Sequence, residues 1–204
     1  MSKVTAQLDA NSDITRWNLK YQQGQSGKIE PRGEPELIAL ADLLDNQGLA
    51  LDVAAGRGRT ALYLAELGYR VIACDGAETA LAGCSRFARD RGLDVSCMVC
   101  DLETYRFSEG LFDLLVVVRY LNRSLLTILP GWIRPHGWLF YKTFNSRFLK
   151  TNPGFNPDYT VEPGELDEIF AGLEIRASDT KNSDLVSDER MSFVFARMLP
   201  AGKI

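Results

Sequence analysis

Residues 51–75 read LDVAAGRGRTALYLAELGYRVIACD. An apolar run ends in Asp52-Val53-Ala54, and two glycines, Gly56 and Gly58, follow at once. A helix-like pattern then runs to Gly68, and a second apolar run ends at Asp75. Strand, tight turn, helix and strand make a βαβ unit. Gly56, Gly58 and Ala61 fit the spacing G-x-G-x-x-G/A, in which small residues form the turn and let a ligand approach the start of the helix.

The same alternation extends outward. Apolar runs at 49–54, 70–74, 95–100, 112–118 and 137–144 are continuous rather than alternating, as parallel strands covered on both faces are. Helical patterns between them stop at Gly68 and Gly92, which read as C-terminal caps. Upstream, GEPELIALADLLDNQG reads as one helix, with Pro35 at its start and Gly48 after its end. Downstream of Phe144 lies NSRFLKTNPGFNPDYTVEP, too long and too aromatic for a passive connector. The tail reads as a helix, GELDEIFAG, then two strands, LEIRASD and RMSFVFARML, with no helix between them. Strands joined in that way pair antiparallel, so the expected fold is a doubly wound α/β sheet, mixed at one edge.

With 204 residues and 46% apolar content, one sizeable core is expected. The net charge of -4 supplies no basic footprint for nucleic acid. No apolar run approaches the length of a membrane span, and the first residues lack a signal-peptide core, so a cytoplasmic protein is expected. Residues 1–32 are polar apart from isolated aromatics such as Trp17 and Tyr21, and read as a lid-like segment on a single domain at 33–204. Cys97 and Cys100 lie three apart in an extended run and point to opposite faces. The cysteines therefore read as buried thiols, with no metal site expected.

An acid ends each of the first three strands: Asp52, Asp75 and Asp101. Asp52, just before the turn, would repel a pyrophosphate and suits a cationic ligand. A carboxylate at the end of the second strand accepts ribose hydroxyls, as for all adenosine cofactors on such sheets. Asp101, at the end of the third, can accept a bond from the exocyclic amine of adenine. Adenosine without phosphates, together with a positive centre, describes S-adenosylmethionine.

The stretch 51–75, with CDLE, FDLLVVVRYLNRSLL, IRPHGWLFYKTF and NPDYTVEPGEL, resembles the class I S-adenosylmethionine-dependent methyltransferases over roughly 16–175. It is most similar to small bacterial members of the tellurite-resistance or generic quinone-biosynthesis type. The resemblance implies a Rossmann-like seven-stranded sheet of order 3-2-1-4-5-7-6, with strand 7 antiparallel. It implies cofactor contacts at Asp52, Ala54, Gly56 and Gly58, ribose contact at Asp75, adenine contacts at Asp101 and Leu102, and further contacts at Val118 and Arg119. The chain departs from the family at Pro135-His136-Gly137, where a second glycine is usual. His136, the only histidine, reads as a turn residue at the edge opposite the cofactor. Asn156-Pro157-Asp158-Tyr159 mimics an amine-methylating motif but follows the wrong strand.

Methyl transfer from a sulfonium is an in-line displacement in which the protein orients the nucleophile and excludes water. A small-molecule acceptor is expected, with Tyr120 and Asn122 as catalytic candidates. Residues 141–143 are further candidates, and Trp17, Tyr21 and Tyr120 are expected to flank the acceptor. Arg119 could bind the cofactor carboxylate, bind an anionic acceptor, or reach solvent. Two other readings compete: an S-adenosylmethionine-binding protein without catalysis, and a nicotinamide-dependent reductase.

Overall fold

A computed structural model describes residues 12–23 and 29–200. Residues 1–11 and 24–28 of the expected lid-like segment, and 201–204 of the expected domain, lie outside the described residues. Seven strands form one sheet: β1 (Leu49–Val53), β2 (Arg70–Asp75), β3 (Val95–Val99), β4 (Phe112–Val118), β5 (Ile133–Phe144), β6 (Glu174–Ser178) and β7 (Met191–Arg197). Their order is β3-β2-β1-β4-β5-β7-β6. The first five pair in parallel, and β7 runs antiparallel to both β5 and β6. This is the Rossmann-like methyltransferase fold, with its switch in strand order between β1 and β4.

The helices are α1 (Ser12–Gln23), α2 (Pro35–Ala39), α3 (Arg59–Glu66), α4 (Glu78–Arg91), α5 (Arg123–Leu126), α6 (Leu129–Trp132), α7 (Phe148–Thr151) and α8 (Glu165–Ile169). Leu37 of α2, Leu62 and Leu64 of α3, and Leu81 and Ala88 of α4 pack on one face of the sheet. Leu125, Leu129, Trp132, Leu166 and Phe170 cover the other. Both faces being covered explains the unbroken apolar runs: Leu114, Leu115, Val116 and Val117 are all 0% exposed.

Two elements differ from the sequence reading. The helix expected to reach the residue before Gly48 stops at Ala39, because Leu40 leaves helical dihedrals (φ -102, ψ 3). A 3-10 turn (Ala41–Leu43) and an extended Leu44 follow, and Leu44 drops into the core. The fifth strand begins at Ile133, ahead of the expected 137, across an irregularity that takes up Pro135 and His136. His136 is exposed at the amino end of β5, away from the carboxyl ends where the glycine turn lies.

Candidate active site

The turn after β1 is built from three residues with positive φ: Ala54 (55), Gly56 (54) and Gly58 (71). For alanine that conformation costs about 1–2 kcal/mol, so the surrounding bonds must hold it. They include Ala55 N–H to the Cys74 carbonyl at 3.0 Å and Gly58 N–H to the Ala55 carbonyl at 2.8 Å. The two glycines serve different ends. A β-carbon on Gly56 would meet only the end of the Tyr21 side chain, its hydroxyl at 2.6 Å, so backbone approach there is limited by one movable group. A β-carbon on Gly58 would lie 2.2 Å from Cys84 Sγ, so its smallness admits α4 rather than a ligand.

Asp52 is 2% exposed, and its Oδ2 accepts the Ala61 amide at 2.9 Å. Burial pushes its carboxyl up to about 8; the Ala61 amide pulls it back, and the charge of Asp75 raises it further. Asp52 is therefore protonated near neutral pH and turned into α3. This corrects the reading of Asp52 as a bare carboxylate that repels phosphate or attracts a cation. It still disfavours a pyrophosphate, because it occupies a first-turn amide of the kind such a ligand uses.

Asp75 ends β2 and bridges the turn: Oδ2 accepts the Gly56 amide at 2.7 Å, and Oδ1 accepts the Ala77 amide at 2.8 Å. Burial raises its carboxyl, and these two amides oppose the rise. Asp101 is partly buried, with Oδ1 accepting the Glu103 amide at 2.9 Å in a turn. Leu102 beside it is 6% exposed and belongs to the core, while Val118 is partly exposed at the end of β4.

Arg119 does not reach freely toward a ligand. It has a positive φ of 56 and forms a two-pronged pair with Glu34, at 2.9 and 3.3 Å. Glu34 also meets Lys142 Nζ at 3.0 Å, and Lys142 meets Glu36 at 2.5 Å. Burial alone would raise the Glu36 carboxyl, but bonds from Lys142 and Ser187 hold it below its ordinary range. Two cations face two carboxylates, so the cluster is balanced and ties the chain before α2 to the ends of β4 and β5. The sequence reading missed Glu34, Glu36 and Lys142 as a group. The available signal was a lysine inside the apolar run WLFYKTF, since a buried lysine needs a partner.

Helix α1 lies against the carboxyl ends of the strands. Asn18 Oδ1 accepts from the Thr79 amide and hydroxyl at 3.2 and 2.8 Å, and a β-carbon on Gly76 would meet Ile14 Cγ1 at 2.8 Å. These contacts turn Tyr21 toward Gly56. Burial, then Asp75, push the Tyr21 hydroxyl up to about 12, with Arg57 lowering it. Trp17 is 39% exposed with Lys20 Nζ 4.1 Å from its ring centroid, so the helix presents it outward. Only one of the two expected lid aromatics faces the turn.

Tyr120 follows β4, and burial raises its hydroxyl to about 12; a bond with Asn122 lowers it, and Glu103, Asp101 and Asp75 raise it. Its carbonyl accepts the Tyr141 hydroxyl at 2.6 Å, and burial pushes Tyr141 up as well. Asn122 caps α5, its Oδ1 accepting the Leu125 amide at 3.1 Å. In Asn156-Pro157-Asp158-Tyr159, Asn156 likewise caps a 3-10 turn, its Oδ1 accepting the Asp158 amide at 3.0 Å.

Residues 50–132 match the family model described as a methyltransferase domain. The matched stretch is less than half of the chain, and the likeness to that family lies there. The matched span runs from β1 through α6 and contains the glycine turn, Asp75, Asp101 and Tyr120. Among curated relatives, the domain is 33% identical over 84 residues to 2-heptyl-1-hydroxyquinolin-4(1H)-one methyltransferase of Mycobacteroides abscessus, covering 41% of this chain and 37% of that protein. It is 27% identical over 151 residues to the ubiquinone biosynthesis O-methyltransferase of Rickettsia felis, covering 64% and 62%. The matches thus span less than two thirds of either relative. The fold also matches the solved structure titled "Conversion of a Disulfide Bond into a Thioacetal Group during Echinomycin Biosynthesis", with TM-score 0.70, 22% identity, and 92% and 93% of the two chains covered. No helix among the described residues is long and apolar enough to cross a membrane.

Proposed function

We propose that the protein transfers a methyl group from S-adenosylmethionine to a small nucleophile. The observation that carries this reading is the placement of Asp75 at the carboxyl end of β2, bonded to the amide of Gly56, where only the movable Tyr21 hydroxyl stands against the backbone. In this reading Asp75 takes ribose hydroxyls, Gly56 lets the ligand approach the backbone, and Asp101 with Leu102 meets the adenine. Bound S-adenosylmethionine supplies an electrophilic methyl on a sulfonium. Of the lid-like segment proposed at 1–32 beside a domain at 33–204, helix α1 brings Tyr21 against the Gly56 turn.

Tyr21 and Tyr120, held near 12, stay protonated at neutral pH and so orient an acceptor rather than deprotonate it. That favours acceptors already reactive without a base: thiolates, enolates, or selenide and telluride species. The acidic chain disfavours nucleic acid and fits a cytoplasmic enzyme. The likeness to 2-heptyl-1-hydroxyquinolin-4(1H)-one methyltransferase of Mycobacteroides abscessus and to the ubiquinone biosynthesis O-methyltransferase of Rickettsia felis supports a small-molecule acceptor, hydroxyl groups included. Incubation with methyl-labelled S-adenosylmethionine and a panel of phenols, thiols, reduced chalcogen species and RNA tests this. Label is expected on a small acceptor; label on RNA alone would contradict it.

A further inference from the structure

The turn that leaves β4 holds a strained residue. Arg119 has a φ of 56, a left-handed conformation that is costly for a residue with a β-carbon and persists only where surrounding bonds over-determine it. Two backbone bonds to consecutive residues of β5 bracket it. The Arg119 amide donates to the Lys142 carbonyl at 2.8 Å, and the Tyr141 hydroxyl donates to the Tyr120 carbonyl at 2.6 Å. The first holds the peptide before Arg119, and the second holds the peptide after Tyr120. Tyr141 lies opposite Val117, so its ring reaches along the sheet past Val118 and Arg119 to meet that carbonyl. Packing does not call for the hydroxyl. The side chain is 1% exposed with its ring 5.7 Å from that of Phe170, and phenylalanine would fill the same space. Beyond the turn, Arg123 pairs with Glu165 and donates to the Thr160 carbonyl at 3.2 Å, so α5 has an anchor of its own.

We propose that Tyr141 is a positioning residue for the methyl transfer: by holding the Tyr120 carbonyl it keeps Arg119 left-handed and sets where the Tyr120 side chain stands beside the acceptor. This rests on the reading of Tyr120 as a group that orients the acceptor. Burial raises the Tyr141 hydroxyl, which keeps it protonated and therefore a donor. Without that donor the peptide after Tyr120 is free to rotate, and Arg119 relaxes toward right-handed or extended dihedrals. The Tyr120 phenol then leaves its place. Tyr141 acts only through Tyr120, so its loss should be felt by the acceptor and not by S-adenosylmethionine.

The test compares wild type, Tyr141→Phe, Tyr120→Phe and the double variant, each as the whole protein labelled with 3-fluorotyrosine. The fluorine resonance lost in Tyr120→Phe identifies Tyr120. In Tyr141→Phe that resonance is expected to move or split, while those of Tyr63 and Tyr69, which pack on the opposite face of the sheet, keep their positions. With an acceptor found in the labelled-methyl panel, Tyr141→Phe should raise KM for that acceptor by about fivefold or more and leave KM for S-adenosylmethionine within about twofold of wild type. In the Tyr120→Phe background the same substitution should change the acceptor KM by less than about twofold. An unmoved Tyr120 resonance, equal rises in both KM values, or the full effect in the Tyr120→Phe background would each overturn the proposal. The fluorine readout needs neither cofactor nor acceptor, so failure of the methyltransferase reading would appear separately, as absent S-adenosylhomocysteine binding by wild type.

Discussion

Asp75 Oδ2 accepts the Gly56 amide at 2.7 Å, joining the end of β2 to the turn after β1. With the Ala77 amide on its other oxygen, this carboxylate holds the turn in shape, in addition to the ribose contact proposed for it. A strand-end position alone would make its loss harmless to the free protein. The two bonds predict otherwise. Asp75→Ala should lower stability by about 2 kcal/mol, or roughly 4–8 °C in melting temperature, and weaken S-adenosylhomocysteine at least tenfold. Thermal unfolding and calorimetry on the same preparation check both.

The two glycines of the turn should separate affinity from stability. Gly58→Ala sets a β-carbon against Cys84 at positive φ and should cost about 3 kcal/mol. Gly56→Ala meets only the Tyr21 hydroxyl and should cost about 1–2 kcal/mol, yet lose most cofactor affinity. Denaturant titration of the two variants, with cofactor titration of the one that folds well, decides the point. Equal stability losses would contradict the division of labour.

The fold was legible because its central strands β1 and β4 are buried on both faces and read as continuous apolar runs, while the partly exposed edge strand β3 is still an unbroken run, VSCMV. Within the candidate site, placement was legible where backbone position alone sets it, as with Gly56 in the turn and Asp75 at the end of β2. Asp52 and Arg119 could not be resolved that way. Each is a charged group whose role depends on which neighbour folding brings to it: the Ala61 amide for Asp52, and Glu34, eighty-five residues away, for Arg119. The division between Gly56 and Gly58 was hidden for the same reason, since it depends on Tyr21 and Cys84 arriving from other helices.

Asp52 gives a pH prediction whose sign runs against the usual one for a carboxylate. Its unfolded value is near 3.8 and its folded value about 8, so between these the unfolded chain binds fewer protons than the folded one. Its contribution to stability therefore falls as pH rises from about 4 to 8 and levels off above that. Asp52→Asn, which keeps an acceptor for the Ala61 amide, should gain on wild type across this window by at least about 1 kcal/mol at pH 8. A variant that is less stable at pH 8 than at pH 5, relative to wild type, would show that Asp52 is ionised in the fold.

Tyr21 and Tyr120 are both raised to about 12, so neither phenol should impose an alkaline limb on the rate while the protein stays folded. Tyr120→Phe should retain more than about a hundredth of wild-type turnover, whereas loss of a true base costs about 10²- to 10⁴-fold. A larger loss with intact cofactor binding and a shifted pH profile would mean that Tyr120 removes a proton.

The central claim is that this turn and its acids recognise an adenosine carrying a sulfonium or thioether rather than a pyrophosphate. Calorimetric titration of the unmodified protein with S-adenosylmethionine, S-adenosylhomocysteine, NAD and NADP tests it most directly. The account predicts saturable binding of the first two at micromolar concentration and no measurable heat from the others. NAD binding tighter than S-adenosylmethionine would contradict it.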